Sequence, residues 1–241
     1  MHTVYIGTAG WSLSSAAASH FPHDGSHLQR YARVLPCVEI NSSFYRPHQP
    51  ATYARWAASV PEHFRFSVKL PRSITHERHL RNCAAELERF AGEVMHLGNK
   101  LGCVLVQLPP SLRFDTSEAA NFFHDLRGCF NGMLAFEARH ASWFGEAATA
   151  LLRAHQMTRV RADPPAGQPG PHQPTTEAAY IRLHGSPKIY YSDYSAEFLD
   201  ALAAELRAQT ASGSWCIFDN TASGAALPDA LGLQARLAAR S

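Results

Sequence analysis

Lysine is scarce in this chain, and long apolar runs are missing. Only Lys69, Lys100 and Lys188 are lysines among the 22 basic residues, and the formal net charge is +2 in 241 residues. A balance so close to neutral gives no indication of a nucleic-acid partner. No apolar stretch reaches the roughly 18 residues of a membrane span, and no basic-then-apolar leader is visible. We therefore expect a cytoplasmic protein with no membrane partner.

Cysteine pairs and a dinucleotide motif are missing as well. The five cysteines form no Cys-x-x-Cys pair, which is typical of reduced, buried thiols in a cytosolic protein. No Gly-x-Gly-x-x-Gly follows the first apolar run, and this argues against an open doubly wound sheet. The sequence leaves the identity of any cofactor unknown.

Eight short apolar runs, each ending in polar or small residues, are spaced evenly along the chain. Helical periodicity occurs between them, over 79–98 and about 145–155, after the N-caps Asp115 and Ser195, and from about 228. Strand and helix in such alternation predict an α/β fold with a parallel sheet, and eight strands predict a (β/α)8 TIM-type barrel. We expect a single domain over residues 1–241. The eight runs are Val4–Gly7, Val38–Asn41, Phe64–Lys69, Val104–Gln107, Leu134–Glu137, Thr158–Asp163, Tyr180–His184 and Trp215–Asp219.

One repeat is irregular. The segment 164–176 reads PPAGQPGPHQPTT, and so many Pro and Gly residues cannot hold a helix. We therefore expect an irregular loop in place of the helix after the sixth strand. Its length suits either a lid over the site or a surface connector.

Polar side chains at the strand ends predict the site. In a parallel barrel the carboxyl ends of all strands meet at one face. We expect catalytic roles for four residues: acid or base chemistry for Glu39 and Glu137, charge stabilisation or nucleophilic attack by the Lys69 amine, and proton shuttling by His184. An ion-pair network that plugs the barrel top is the structural alternative.

A divalent metal is a further alternative for the same strand ends. Glu39, Glu137, Asp163, His184 and Asp219 have suitable ligand atoms, but they come from different strands without any local ligand spacing. We therefore assign no metal ligands.

Loops after the strands supply candidate binding residues. Trp11 is placed either to stack on a sugar or base or to cap the barrel core, and Tyr45 with Arg46 suits a base, a sugar or a phosphate. The turn DNTASGAA, which enters the last helix, offers free backbone N–H groups to an anion. The expected substrate-binding residues are Trp11, Asn41, Tyr45, Arg46, His76, Gln107, Arg139, His140, Trp143, Arg182, Gly185 and Asn220.

Ordered motifs across almost the whole chain resemble the YecE-like family, also called domain of unknown function 72. They are GTAGWS, VEINSSFYR, FRFSVKLPRSITHERHL, KLGCVLVQLPPSL, FEARHASW, ADP, YIRLHG and FDNTASGAA. The resemblance implies a TIM-type barrel and no established activity. It adds weight to the expected catalytic residues and to the expected substrate-binding residues listed above, Arg46 excepted. Two segments depart from the family pattern. LSSAAASHFP implies a smaller pocket wall after the first strand, and IFDNTASG carries no family role over to Asp219.

Three functions fit these features. The leading hypothesis is an enzyme that acts on an anionic, phosphorylated or polyol substrate by acid/base chemistry at the carboxyl ends of the strands. The first alternative is a metal-dependent phosphodiesterase acting on nucleic acid, which the near-neutral charge does not favour. The second is a non-catalytic module that binds a small anionic or sugar-like ligand.

Overall fold

Parallel strands form the centre of the fold in the computed structural model, which describes residues 3–13, 17–209 and 213–239. Nine strand segments occur in these ranges. They are β1 Val4–Thr8, β2 Cys37–Ile40, β3 Arg65–Lys69, β4 Leu101–Gln107, β5 Met133–Glu137, β6 Met157–Arg159, β7 Arg161–Asp163, β8 Tyr180–Leu183 and β9 Ser214–Phe218. All eight predicted strands are present, and the sixth is divided into β6 and β7 on either side of Val160.

The strands follow the order of a barrel but form two sheets. One sheet has the order β1-β9-β8-β7 and the other β2-β3-β4-β5-β6, and every pairing is parallel. A bridge between Ala9 and Glu39 connects β1 to β2. On the opposite side, the Val160 N–H between β6 and β7 donates to the Phe136 carbonyl at 2.9 Å. The predicted TIM-type architecture is confirmed, although the strand ladder of the described residues is not closed.

Helices connect the strands and cover them. They are α1 His27–Ala32, α2 Ser42–Tyr45, α3 Pro50–Ala58, α4 Ala84–Val94, α5 Thr116–Cys129, α6 Glu146–Ala154, α7 Ala196–Ala208 and α8 Ala226–Ala238. The predicted N-caps are confirmed, because Asp115 accepts from the Glu118 N–H at 3.0 Å and Ser195 from the Phe198 N–H at 3.3 Å. In the described part of the chain, no helix is long and apolar enough to cross a membrane.

The helix predicted over 79–98 is shorter in the structure. His79, Leu80 and Asn82 have positive φ angles, so the regular helix α4 begins only at Ala84. After Val94 the chain continues as a 3-10 turn, in which Gly98 has φ 59°. Apolar periodicity therefore extends beyond the residues whose backbone is helical.

The Pro/Gly segment replaces a helix, as predicted. Between Asp163 and Tyr180 the described chain contains no helix, and its end is fixed by Thr175, whose hydroxyl accepts from the Arg159 N–H at 2.8 Å and donates to the Met157 carbonyl at 2.6 Å. Near its start, Gly167 packs so closely on Arg139 that a Cβ would lie 2.4 Å from the Arg139 carbonyl oxygen. The loop therefore lies against one rim of the predicted site.

A glycine at the centre of β1 gives a direct test of this packing. A Cβ added to Gly7 would lie 2.2 Å from the Cys37 carbonyl oxygen at the start of β2. We expect Gly7→Ala to cost about 1–3 kcal/mol of unfolding free energy because the backbone must shift, and thermal denaturation measures it. Gly92→Ala is the control, since a Cβ there meets nothing within 4 Å and helix α4 gains propensity. Equal melting temperatures for the two variants would contradict this packing.

Candidate functional site

Arg182, on β8, lies at the centre of a buried cluster of charges. Its side chain has no exposed surface. The guanidinium donates to Glu39 through Nε at 3.1 Å and Nη2 at 2.7 Å, and to Glu137 through Nη1 at 2.5 Å. Nη2 also donates to Asp219 Oδ2 at 3.0 Å. Three carboxylates from three different strand ends thus bind a single guanidinium.

Their negative charge explains how a charged arginine is tolerated in the interior. Burial by itself lowers the pKa of Arg182, but Glu39, Glu137 and Asp219 raise it well above its ordinary value. Leaving these groups unpaired would cost several kcal/mol each. The guanidinium therefore stays charged, and its charge helps to hold the pKa values of Glu137 and Asp219 below their ordinary values.

His184 connects two of the carboxylates. Its Nδ1 lies 3.0 Å from Asp219 Oδ2 and its Nε2 lies 3.2 Å from Glu137 Oε1. Burial lowers the pKa of His184, but the hydrogen bonds with Asp219 and Glu137 outweigh it and raise the pKa above 6.5. With a carboxylate at each ring nitrogen, the imidazolium is the form that the site favours.

Glu137 is the most heavily bonded carboxylate of the cluster. Besides Arg182 and His184, Arg139 donates to its Oε1 through Nε at 3.0 Å and Nη2 at 2.9 Å. Burial acts to raise the pKa of Glu137, but Arg182 and His184 hold it well below its ordinary value. Glu137 is consequently an anion throughout the neutral range and a weak base.

Tyr180 and Ser67 extend the cluster toward the barrel interior. The Tyr180 hydroxyl donates to Glu39 Oε2 at 2.8 Å and lies 2.7 Å from Ser67 Oγ. Neither residue was predicted as part of the site. The alternation of side chains in β8 holds the missed signal, since Tyr180 precedes Arg182 by two residues and therefore points to the same side.

Lys69 ends β3 beside this cluster, and it differs from every other charged residue there. Lys69 is only 8% exposed, and its ammonium takes part in no hydrogen bond or ion pair among the described residues. Nζ lies instead over the Phe44 ring, 4.2 Å from the centroid. Burial, and next the charge of Arg182, lower the pKa of Lys69 to about 8, although the carboxylates partly oppose this.

His76 packs on the same aromatic ring. The His76 and Phe44 rings meet edge to face with centroids 5.0 Å apart, and Nδ1 lies 2.8 Å from the Thr75 hydroxyl. Burial and the charge of Lys69 lower the pKa of His76 to about 4. The neutral imidazole of His76 and the Lys69 amine, whose pKa is lowered, thus pack on the same Phe44 ring.

Four other predicted binding residues also lie at these strand ends. Gln107 ends β4 in register with Glu137 and is buried. Asn41 follows β2, and its buried Oδ1 has no hydrogen-bond donor in the described parts of the chain. Tyr45 ends α2 and Arg46 follows it, and both lie on the surface, where Tyr45 is 77% exposed. Gln107 and Asn41 thus adjoin the strand ends, whereas Tyr45 and Arg46 are open to solvent.

The remaining predicted binding residues have structural contacts. Trp143 is buried and donates from Nε1 to the Leu112 carbonyl at 2.9 Å, so the structure does not bring it to the site. Trp11 packs edge to face on Trp56, with centroids 5.1 Å apart. His140 caps the following turn, the Gly185 N–H donates to Tyr194, and the Asn220 amide donates to Asp229. The pocket wall predicted from LSSAAASHFP falls partly on residues 14–16, which lie outside the described ranges.

The carboxylates do not fit a divalent metal while Arg182 lies among them. Glu39, Glu137 and Asp219 direct oxygens at the guanidinium, which supplies the positive charge that a metal would bring. Asp163, the other weighed ligand, accepts from the Tyr194 hydroxyl at 3.0 Å. In the ranges that the structure describes, no group of three or more His, Cys, Asp or Glu residues is arranged to hold a metal ion.

Fold and site together define a TIM-type α/β protein with a charged cluster at the carboxyl ends of its strands. The chain belongs to the family described as "Protein of unknown function DUF72", whose model matches residues 5–241. It is 32% identical over 195 residues to UPF0759 protein YecE of Escherichia coli strain K12, covering 77% of this chain and 68% of that protein. It is 31% identical over 151 residues to UPF0759 protein YunF of Bacillus subtilis, covering 58% of this chain and about half, 52%, of YunF. The resemblance found in the sequence is confirmed.

Solved structures agree on the fold. A DUF72 family protein of Thermotoga maritima superposes with a TM-score of 0.81 at 28% identity, covering 98% of this chain and 99% of that one. One of Enterococcus faecalis gives 0.82 at 21% identity, covering 99% and 97%. A sugar phosphate isomerase/epimerase of Parabacteroides distasonis gives 0.54 at 11% identity, covering 97% and 93%, which shows likeness of fold alone.

Removal of the central guanidinium tests the ion cluster. We expect Arg182→Met to lower the unfolding free energy at pH 7 by about 3–5 kcal/mol, because three buried carboxylates lose their shared partner. Urea denaturation gives the difference. Arg161→Met is the matched control: it breaks the exposed ion pair with Glu205, which is worth at most about 1 kcal/mol. Similar losses in the two variants would show that the buried cluster is not a special source of stability.

The pKa values of His184 and His76 should be shifted in opposite directions from the ordinary value of histidine. We expect NMR titration to give His184 a pKa above 6.5 and His76 a pKa of about 4, with assignments from His184→Gln and His76→Gln. Because the pKa of His184 is raised by folding, its stabilising contribution is fully present below 6.5 and is lost as pH rises through the folded-state value. The stability advantage of wild type over His184→Gln should shrink over that interval. A His184 pKa below 6.5 would contradict the paired imidazolium.

Proposed function

We propose that this protein is an enzyme that binds a small anionic or polyol substrate at the carboxyl ends of its strands and uses Lys69 to transfer a proton. One observation carries the proposal: Lys69 is the charged residue of the cluster that lacks an ion-pair partner in the described chain. Glu39, Glu137, Asp219, Arg139, Arg182 and His184 all have one.

The proton-transfer role follows from the surroundings of Lys69. A general base works best when its pKa lies near the working pH, and the pKa of about 8 for Lys69 meets this condition. Glu137, expected from the sequence to be the acid or base, is bound to three cationic residues as an anion. In our proposal Glu39, Glu137 and His184 therefore hold and stabilise charge, while Lys69 carries the proton.

The substrate class follows from the charges that face the opening. Arg139 is partly exposed, with one-fifth of its side-chain surface accessible, and its Nε and Nη2 are bound to Glu137. Tyr190 also faces the guanidinium, and because Arg139 is partly exposed, an anionic or hydroxyl oxygen can still reach it. With Lys69 and His184 protonated, four cations face three carboxylates, and the cluster attracts anions.

Of the two alternatives, the metal-dependent phosphodiesterase lacks a suitable ligand set, since the carboxylates bind Arg182. The non-catalytic binding module shares the whole geometry with the enzyme. It differs in one measurable respect, because a module binds its ligand without exchanging any of the ligand's carbon-bound protons.

Hydrogen exchange tests the proposal. We expect the wild-type protein in D₂O to exchange a C–H proton of at least one member of a panel of triose, tetrose and pentose phosphates and the matching free sugars, followed by NMR. Lys69→Met should lower this rate by about 10²–10⁴, the usual contribution of acid–base catalysis. Lys100→Met is the control, because that buried lysine donates to the Ala57 and Val60 carbonyls, outside the cluster. Calorimetric binding without exchange would favour the module.

The same variant checks that the loss of exchange is not a loss of fold. A pKa of about 8 instead of 10.5 costs the native state roughly 3 kcal/mol. We therefore expect Lys69→Met to melt higher than wild type at pH 7. The cost is fully present below pH 8 and disappears as pH approaches 10.5, where the unfolded lysine also loses its proton. A lower melting temperature at pH 7 would contradict the desolvated state of Lys69.

A further inference from the structure

We infer that the Lys69 amine is also a nucleophile, which forms a protonated imine with the carbonyl carbon of a small hydroxylated aldehyde or ketone. This inference rests on the proposed function, since it uses the same site. It goes further because it names the reacting bond and the chemical class of the substrate.

The three lysines of the chain differ sharply in what their amines contact. Lys100 Nζ donates to two backbone carbonyls at 2.8 Å and lies 3.7 Å from Glu62 Oε2. Lys188 is exposed, with Nζ over the Tyr191 ring at 4.1 Å. Lys69 alone of the three is both buried and without a hydrogen bond in the described chain. Its nitrogen lone pair, once deprotonated, is therefore free to attack.

Burial favours the nucleophilic form of this amine. Desolvation disfavours the ammonium more strongly than the attraction of the Phe44 ring for a cation favours it, and a desolvated lysine is the usual amine nucleophile toward carbonyl carbon. With a pKa of about 8, roughly a tenth of Lys69 is neutral at pH 7, against roughly one in three thousand for an ordinary lysine. The iminium carries the same single positive charge as the ammonium, so Glu39, Glu137 and Asp219 stabilise both.

The bond changes need no other reactant than a proton. The amine lone pair attacks the carbonyl carbon, and the carbonyl oxygen becomes a hydroxyl that leaves as water. That water takes one hydrogen from the nitrogen and one proton from an acid, and the carbon–nitrogen double bond remains protonated. His76, neutral and packed on Phe44, is placed to relay the proton. Nothing is oxidised or reduced, and hydrolysis reverses the step.

The hydroxyl groups of the substrate are indicated by an unsatisfied acceptor. Asn41 Oδ1, at the end of neighbouring strand β2, is buried without a donor in the described residues. A buried acceptor without a partner costs about 1–3 kcal/mol, and a substrate hydroxyl would supply the missing donor. The partly exposed Arg139 guanidinium would donate to a second oxygen. An open-chain hydroxylated carbonyl compound fits both groups.

Reductive trapping tests the inference on the wild-type protein. We expect D-glyceraldehyde or dihydroxyacetone with sodium cyanoborohydride at pH 7 to label Lys69 at least tenfold faster than Lys188 and Lys100, as measured by peptide mapping and mass spectrometry. The exposed Lys188 reports ordinary glycation, so the comparison is internal. Lys69→Arg keeps the positive charge and should remove the fast adduct while Lys188 labels at an unchanged rate. Equal labelling of Lys69 and Lys188, or none at Lys69, would overturn the inference.

Failure of this inference is distinguishable from failure of the proposed function. Lys69-dependent hydrogen exchange without a trapped Lys69 adduct would overturn the nucleophilic role and leave proton transfer by Lys69 standing. A fast Lys69 adduct without exchange of any sugar proton would support the imine and count against the proposed proton transfer.

Discussion

The buried guanidinium of Arg182 is the interaction on which the rest of the structure depends. Arg182 lies on β8, in one sheet, whereas Glu39 lies on β2 and Glu137 ends β5 in the other. In the described residues the strand ladder is not closed, and this ion cluster connects the two sheets across the interior. Parallel strands make it possible, because only they bring every carboxyl end to the same face. The fold therefore brings the charged side chains together, and their ion pairs connect the two sheets.

The Arg182 guanidinium also determines which charged groups of the cluster are held in ion pairs. By binding oxygens of Glu39, Glu137 and Asp219 it occupies them as metal ligands, and it helps to hold Glu137 and Asp219 as anions. Its positive charge also lowers the pKa of Lys69, second only to burial. One interaction thus connects the strand ends and leaves an amine of lowered pKa beside them. In the described chain, the cations of the cluster therefore differ in one respect: Arg139, Arg182 and His184 have ion-pair partners, and Lys69 has none.

Much of the fold and part of the candidate site could be predicted from the sequence, and there are physical reasons why the rest could not. Apolar runs of four to six residues identified the strands, and convergence of their ends predicted that Glu39, Lys69, Glu137 and His184 lie together. The helices α1, α2 and α3 were missed, and α1 and α2, with six and four residues, carry too little periodicity to be recognised. The ion pairs among the strand ends could not be predicted, since they depend on side-chain positions across the barrel. Trp143 was expected in the binding site and lies in the core, because an aromatic residue after a strand suits the core as well as a pocket.

The ion-pair plug, the structural alternative raised by the sequence, accounts for only part of the cluster. A plug needs balanced charges, and Arg182 with its carboxylates, Arg139 and His184 supplies them. Lys69 adds a desolvated charge without an ion-pair partner in the described chain, which costs the native state stability that an apolar residue of similar length would not. Groups that lower stability without local compensation are expected at functional sites. The plug explains why Arg182 is buried there, whereas a functional role such as the proposed one is needed to explain why Lys69 is.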